Sequence, residues 1–256
     1  MCRWIAYAGA TIALRRYVTE PSHSLISQSL NALESTAATN GDGFGLGWYD
    51  EYPEPGLYRE IRPAWSDENL RHLCRHIRSH LFFAHVRAAT ATPITRLNCH
   101  PFAHGRWMFM HNGFISDWDR LRRPIEALIR DEFYTSRAGT TDSEAMFLAI
   151  MGAGVEEDPV DATKRTLGRL TEMVMQGGDD HKLRFTAALS DGRSVYAFRY
   201  AAKDASNSLY YRRDDDATVI ASEPLEGDHT RWTAVPENCV LIAEPGKPER
   251  ISAFVP

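Results

Sequence analysis

The 256-residue sequence predicts an α+β fold, in which both halves of the chain supply strands to antiparallel sheet and helices pack on it. Three observations predict it. An apolar run over residues 3–9 reads as a strand that starts almost at the terminus. From Leu183 onward, short β-rich runs at 183–190, 194–200, 208–213, 217–222 and 239–243 are divided by turn signals such as Asp191-Gly192 and Asp214-Asp215-Asp216. No Pro/Ser/Gly linker separates the two halves, so residues 1–256 read as one domain.

Between those strands the pattern is helical. Residues 24–38 read as a helix with Leu25, Ile26, Leu30 and Leu33 on one side. Asn40 to Tyr49 is glycine-rich, and its second half alternates Gly with large apolar residues, as in a strand whose glycine face admits another backbone. Ser66 can cap a helix to about His80. Leu81–Thr90 and Arg106–His111 follow as buried strands. Ser116 and Asp119 resemble a capping box for a helix to about Arg130, with Pro124 in its third turn. Thr141 and Glu144 form a better box for a helix to about Met151, and residues 159–176 form one more.

Composition narrows the function. Hydrophobic residues at 43% and charged residues at 25% are ordinary for a globular chain. A net charge of -5 gives no basic footprint for nucleic acid, and no apolar run suffices to span a bilayer. The N-terminus lacks a signal-peptide core, which points to the cytoplasm. The four cysteines are widely spaced, without a CxxC, and read as free thiols. His72, His76 and His80 recur on one face of the helix expected there, but no completing ligand marks a metal site, and a solvated helix is the simpler reading. The aromatic set Trp48, Tyr49, Tyr52, Tyr58 and Trp65 reads as packing.

Four local features carry chemistry together, although each has an ordinary reading alone. Removal of Met1 would leave Cys2 with a thiol and a free α-amine, nucleophile and base on one residue. His111-Asn112-Gly113 closes an apolar strand and is either a turn or a pair of oxyanion donors. Arg87 lies in an apolar strand, where it either pairs with an acid or holds a carboxylate in its planar fork. Asp142 opens a helix, where the dipole favours it, and could accept from an ammonium. A glutamyl group, held by its α-carboxylate and α-ammonium while its γ-carbonyl is attacked, needs all four.

The segments Met1-Cys2-Arg3, Asn40 to Gly45, His85 to Thr90, Asn98-Cys99-His100-Pro101-Phe102, His111-Asn112-Gly113 and Thr141 to Glu144 resemble, in order, those of class II glutamine amidotransferases of the N-terminal-nucleophile hydrolase superfamily. Ala221 to Leu225 is similar to a segment near the end of stand-alone members. The resemblance is strongest to the stand-alone subgroup that includes the γ-glutamyl hydrolase of ergothioneine biosynthesis. It implies a four-layer αββα sandwich of two antiparallel sheets. It also implies Cys2 as nucleophile, Asn112 and Gly113 as oxyanion hole, Arg87 and Asp142 on the glutamyl α-groups, and Thr90 and His100 lining the pocket.

Where many relatives have an aromatic after the arginine and a His after the threonine, this chain has Ala88 and Ala91. The expected activity is hydrolysis of glutamine or a γ-glutamyl metabolite through a γ-glutamyl thioester, with no cofactor and no metal. Its partners would be small molecules rather than nucleic acid or membrane. A glutaminase subunit feeding ammonia to a separate synthase, and a non-catalytic glutamyl-binding module, are the alternatives.

Overall fold

The computed structural model describes residues 2–34, 39–89, 92–178 and 180–256. The chain opens with β1 (Arg3–Ala13), α1 (Arg15–Val18), α2 (Leu25–Leu30), β2 (Phe44–Trp48), β3 (Gly56–Glu60), α3 (Glu68–His76) and β4 (Arg78–Val86). Next come β5 (Phe102–His104), β6 (Trp107–Ile115), α4 (Trp118–Glu126), α5 (Asp131–Tyr134), α6 (Asp142–Gly152) and α7 (Pro159–Met175). The last third is strands: β7 (Leu183–Ser190), β8 (Val195–Ala202), β9 (Tyr210–Asp214), β10 (Ala217–Ala221), β11 (Thr233–Ala234), β12 (Cys239–Ala243) and β13 (Arg250–Ala253).

These strands form two antiparallel sheets, each drawing on both halves of the chain. One runs β11-β9-β10-β1-β4-β2-β3 and the other β13-β12-β8-β7-β6-β5. Side chains alternate between the faces of each strand. Trp4, Ala6, Ala8, Leu81 and Phe83 of the first sheet meet Met108, Met110, Ala188, Ala197 and Leu241 of the second in the central core. On the first sheet's outer face Ile5, Tyr7, Phe82 and Val86 pack under α1, α2 and α3. On the second sheet's outer face Phe109, Phe185, Leu189 and Phe198 pack under α4, α6 and α7. The layers are therefore αββα, as the resemblance implies. In β2, Gly45 and Gly47 lie on the inner face, and a Cβ on Gly45 would overlap the His100 carbonyl oxygen.

Three helix expectations are corrected. The first helix stops at Leu30, because Asn31 is extended and the N–H groups of Leu33 and Glu34 donate instead to the Glu223 carboxylate at 2.9 and 3.0 Å. Leu30 and Leu33 are exposed, and residues 35–38 lie outside the described residues. The second begins later: Asp67 rather than Ser66 caps it, accepting from the Leu70 N–H at 3.0 Å. It ends at His76, because Arg78 and Ser79 pair with Ala13 and Ile12 in the sheet. His80 therefore sits in β4, off the helix face shared by His72 and His76. In the third, Ser116 Oγ accepts from the Lys182 N–H and left-handed Asp117 (φ 55°) precedes α4, so no capping box forms there. That helix ends at Glu126 with Pro124 inside it, and Asp131–Tyr134 forms a separate turn of helix. Thr141 does cap α6, accepting from the Glu144 N–H.

Candidate active site

Strand alternation delivers the chemistry-bearing side chains to one place. The inward series of β1 (Trp4, Ala6, Ala8) extends back to Cys2, and that of β6 (Met108, Met110) extends to Asn112. Leu81 and Phe83 in β4 extend in the same way to His85 and Arg87. Cys2, Arg87, His100, Asn112, Gly113 and Asp142 all line one cavity of about 540 Å³. The seventh sequence candidate for catalysis or substrate binding, Thr90, lies outside the described residues.

Each wall has a local cause. The Cys2 thiol donates to the Ala88 carbonyl at 3.7 Å. Desolvation pushes its pKa up, while the Arg87 and Arg3 guanidinium groups pull it down. The backbone of Arg87 is pinned to the glycine-rich loop: its N–H donates to the Gly43 carbonyl at 2.8 Å and its carbonyl accepts from Asp42 at 3.0 Å. Asp42 also accepts from the Ala89 N–H at 2.7 Å, bracing the chain just past the strand. Arg87 Nη2 donates to Thr92 Oγ1 at 2.7 Å, and its buried Nη1 has no partner among the described residues. Asn112 is also buried, with its carbonyl accepting from Asn207 at 2.9 Å and its side-chain Nδ2 unpartnered among the described residues. Gly113 is obligatory by space, since a Cβ there would overlap the Arg184 carbonyl and the His111 ring. Asp142 opens α6 and accepts from the N–H groups of Ile115 (3.1 Å) and Ser143 (2.7 Å). These bonds fix α6 to the end of β6 and leave a carboxylate facing the cavity.

Three buried histidines underlie this wall. His85 and His100 have ring centroids 4.2 Å apart. His100 Nδ1 accepts from the His111 N–H at 3.1 Å, and the His111 ring spans Ser143 Oγ (2.8 Å) and the Arg184 carbonyl (3.1 Å). Burial lowers the pKa of all three, that of His85 to about 3, so they are neutral rings at neutral pH.

Sequence reasoning missed the rest of the rim. Phe114, Ile115, Trp118 and Asp119 line the cavity beyond Gly113. Their signal was their place directly after the Asn-Gly pair, where the strand runs out of the core. The aromatic set Trp48 to Trp65 does not reach the cavity lining. Among the described residues no cluster of His, Cys, Asp and Glu could hold a metal, and no helix is long and apolar enough to cross a membrane.

Comparison with known proteins points to one family. The model of the family "Glutamine amidotransferases class-II" matches residues 17–213. A probable glutamine amidotransferase of Saccharomyces cerevisiae, DUG3, is 32% identical over 94% of this chain and 81% of its own length. The γ-glutamyl-hercynylcysteine sulfoxide hydrolase of Mycobacterium tuberculosis is 28% identical over 93% of this chain and 90% of its own. Among solved structures, a glutamine aminotransferase class-II domain protein from Silicibacter pomeroyi superposes with a TM-score of 0.79 at 36% identity, covering all of both chains. The glutamine phosphoribosylpyrophosphate amidotransferase of B. subtilis shares the fold, with a TM-score of 0.69 at 15% identity over 98% of this chain and 49% of that one.

Proposed function

Since this chain belongs to the class II glutamine amidotransferase family, we propose that residues 1–256 act as one amidohydrolase domain that cleaves a γ-glutamyl amide with Cys2. After removal of Met1, the α-amine of Cys2 takes the thiol proton and the thiolate attacks the γ-carbonyl carbon. Asn112 Nδ2 and the Gly113 N–H donate to the oxyanion that forms. The amine then passes its proton to the leaving nitrogen as the C–N bond breaks, leaving a γ-glutamyl thioester. Water attacks that thioester, giving its proton to the α-amine, which returns one to the departing sulfur, and glutamate leaves. Arg87 binds the α-carboxylate, Asp142 binds the α-ammonium, and His100 and Thr90 shape the pocket. No step needs a cofactor.

One observation carries the reading. Arg87 Nη1 and Asn112 Nδ2 are buried donors without a partner among the described residues, and both residues line the cavity that holds Cys2. Unsatisfied buried donors are costly, by about 1–3 kcal/mol each, so they are retained where a ligand oxygen completes them. The cavity that holds Cys2 has a volume of about 540 Å³. Its rim beyond Gly113, at Phe114, Ile115, Trp118 and Asp119, is where a leaving amine larger than ammonia would lie in a γ-glutamyl metabolite.

Intact mass should show a chain without Met1. The same sample should release glutamate from γ-glutamyl amines or γ-glutamylcysteine derivatives faster than from glutamine. A Cys2→Ala variant that keeps the wild-type rate would refute the mechanism. A glutaminase activity that rises only when a synthase chain is added would assign the protein to ammonia supply instead.

A further inference from the structure

Cys2 precedes the first hydrogen-bonded residue of β1, and the ladder that would hold it gives out just there. The β1–β10 pairing runs only from Ile5↔Ala221 to Ala8↔Thr218. Beyond it Ser222 takes over: its N–H donates to the Trp4 carbonyl at 3.0 Å, and its Oγ accepts from the Trp4 N–H at 3.0 Å. Glu223 comes next. Its Oε1 lies 3.1 Å from Arg3 Nε, with the two side chains 1% and 0% exposed. Arg3 Nη1 turns back and donates to the Cys2 carbonyl at 3.2 Å. Glu223 Oε2 accepts from the N–H groups of Leu33 and Glu34, so the carboxylate is itself held from the far side.

A buried ion pair of this kind is a poor way to gain stability. Desolvating both charges offsets their attraction, and apolar replacement is often neutral or stabilising. What the pair does contribute is geometry. Alternation along β1 sends Cys2 inward to the cavity and Arg3 outward with Ile5 and Tyr7. A group on the outer face thus grips the carbonyl of the residue whose side chain faces the inner one.

We propose that Arg3 and Glu223 are positioning residues, which hold the main chain of Cys2 so that its amine and thiol meet the γ-carbonyl in register with Asn112. This rests on the reading of Cys2 as the nucleophile. Only a guanidinium fork can reach the Glu223 carboxylate and the Cys2 carbonyl together; a lysine reaches one of them.

The test uses Arg3→Lys and the paired Arg3→Met/Glu223→Leu, each assayed for kcat, KM and melting temperature. Cys2 alkylation by iodoacetamide serves as a check on the thiol. The expected result is a kcat lower by about tenfold to 100-fold in both variants, the range for a misplacement of about 1 Å. KM should stay near that of the wild type in both variants, and Cys2 should remain open to alkylation. The melting temperature should stay near that of the wild type in Arg3→Lys and fall in the paired variant, where the Leu33 and Glu34 N–H groups lose their acceptor. A folded variant with wild-type kcat, or a loss confined to KM, overturns the proposal. So does failure of both variants to fold, which would make the pair a scaffold element. Activity persisting in Cys2→Ala would instead mark a failure of the nucleophile assignment.

Discussion

Acidification below pH 6.5 should destabilise this protein through histidines that are buried neutral between its layers. His85 is 1% exposed, its ring packed at a tilt against that of His100, and burial lowers its pKa from 6.5 to about 3. The unfolded chain takes up the proton near pH 6.5 while the folded chain does not, so below 6.5 the unfolded state binds more protons. Stability therefore falls as pH falls from 6.5 toward 3 and is flat in this respect above 6.5. One such group contributes a slope of about 1.4 kcal/mol per pH unit, or about 2.7 kcal/mol lost by pH 4.5. That is a large part of the roughly 5–15 kcal/mol that holds a domain folded.

His100 and His111 shift in the same direction and add to the effect. The assay is urea denaturation of wild type and His85→Leu at pH 7.5, 6.5, 5.5 and 4.5. Taking the difference between the two proteins removes the carboxylate titrations they share, and any packing cost of leucine is a constant offset. The difference should shift in favour of the variant by about 1.4 kcal/mol for each pH unit below 6.5. Parallel pH curves would refute the account of a neutral buried ring.

Further outcomes bear on the site. Asn112→Ala should lower kcat by about 10²–10³ with little change in melting temperature, because the lost Nδ2 has no partner among the described residues. Steady-state kinetics beside a thermal melt would show it. Asp142→Asn and Arg87→Lys should each raise KM for a γ-glutamyl substrate, by about tenfold or more for a charge-assisted bond worth about 1.5–3 kcal/mol, as read from initial rates. Gly113→Ala should destabilise by about 1–3 kcal/mol, since its Cβ overlaps the Arg184 carbonyl; chemical denaturation measures this.

Local chemistry was legible wherever a short pattern decided the outcome. The strands from 183 to 243 fell where alternation and turn residues placed them, and Thr141 caps α6 as its spacing predicts. The failures share a cause. Residues 31–34 leave the helical pattern because the Glu223 carboxylate, about 190 residues away, accepts the N–H groups of Leu33 and Glu34. Residues 78 and 79 read as helix but pair with β1, and Ser116 turns from capping to a bond with Lys182. In each case a distant partner outweighed a propensity worth a few tenths of a kcal/mol per residue. The short strands β3, β5, β11 and β13 escaped notice for the same reason, being defined by their neighbours more than by their own residues.

By itself, the sequence determined the inventory: a cysteine at position two, an Asn-Gly pair, an arginine in an apolar strand and an aspartate at a helix start. It also determined, through period-two alternation, which side of its strand each residue takes. Tertiary structure alone decided that these sides face one cavity, because the stacking of two sheets is set by core packing across long separations. It also decided that Arg3 and Glu223 meet behind Cys2, since a buried charge finds its partner only once the chain has closed around both.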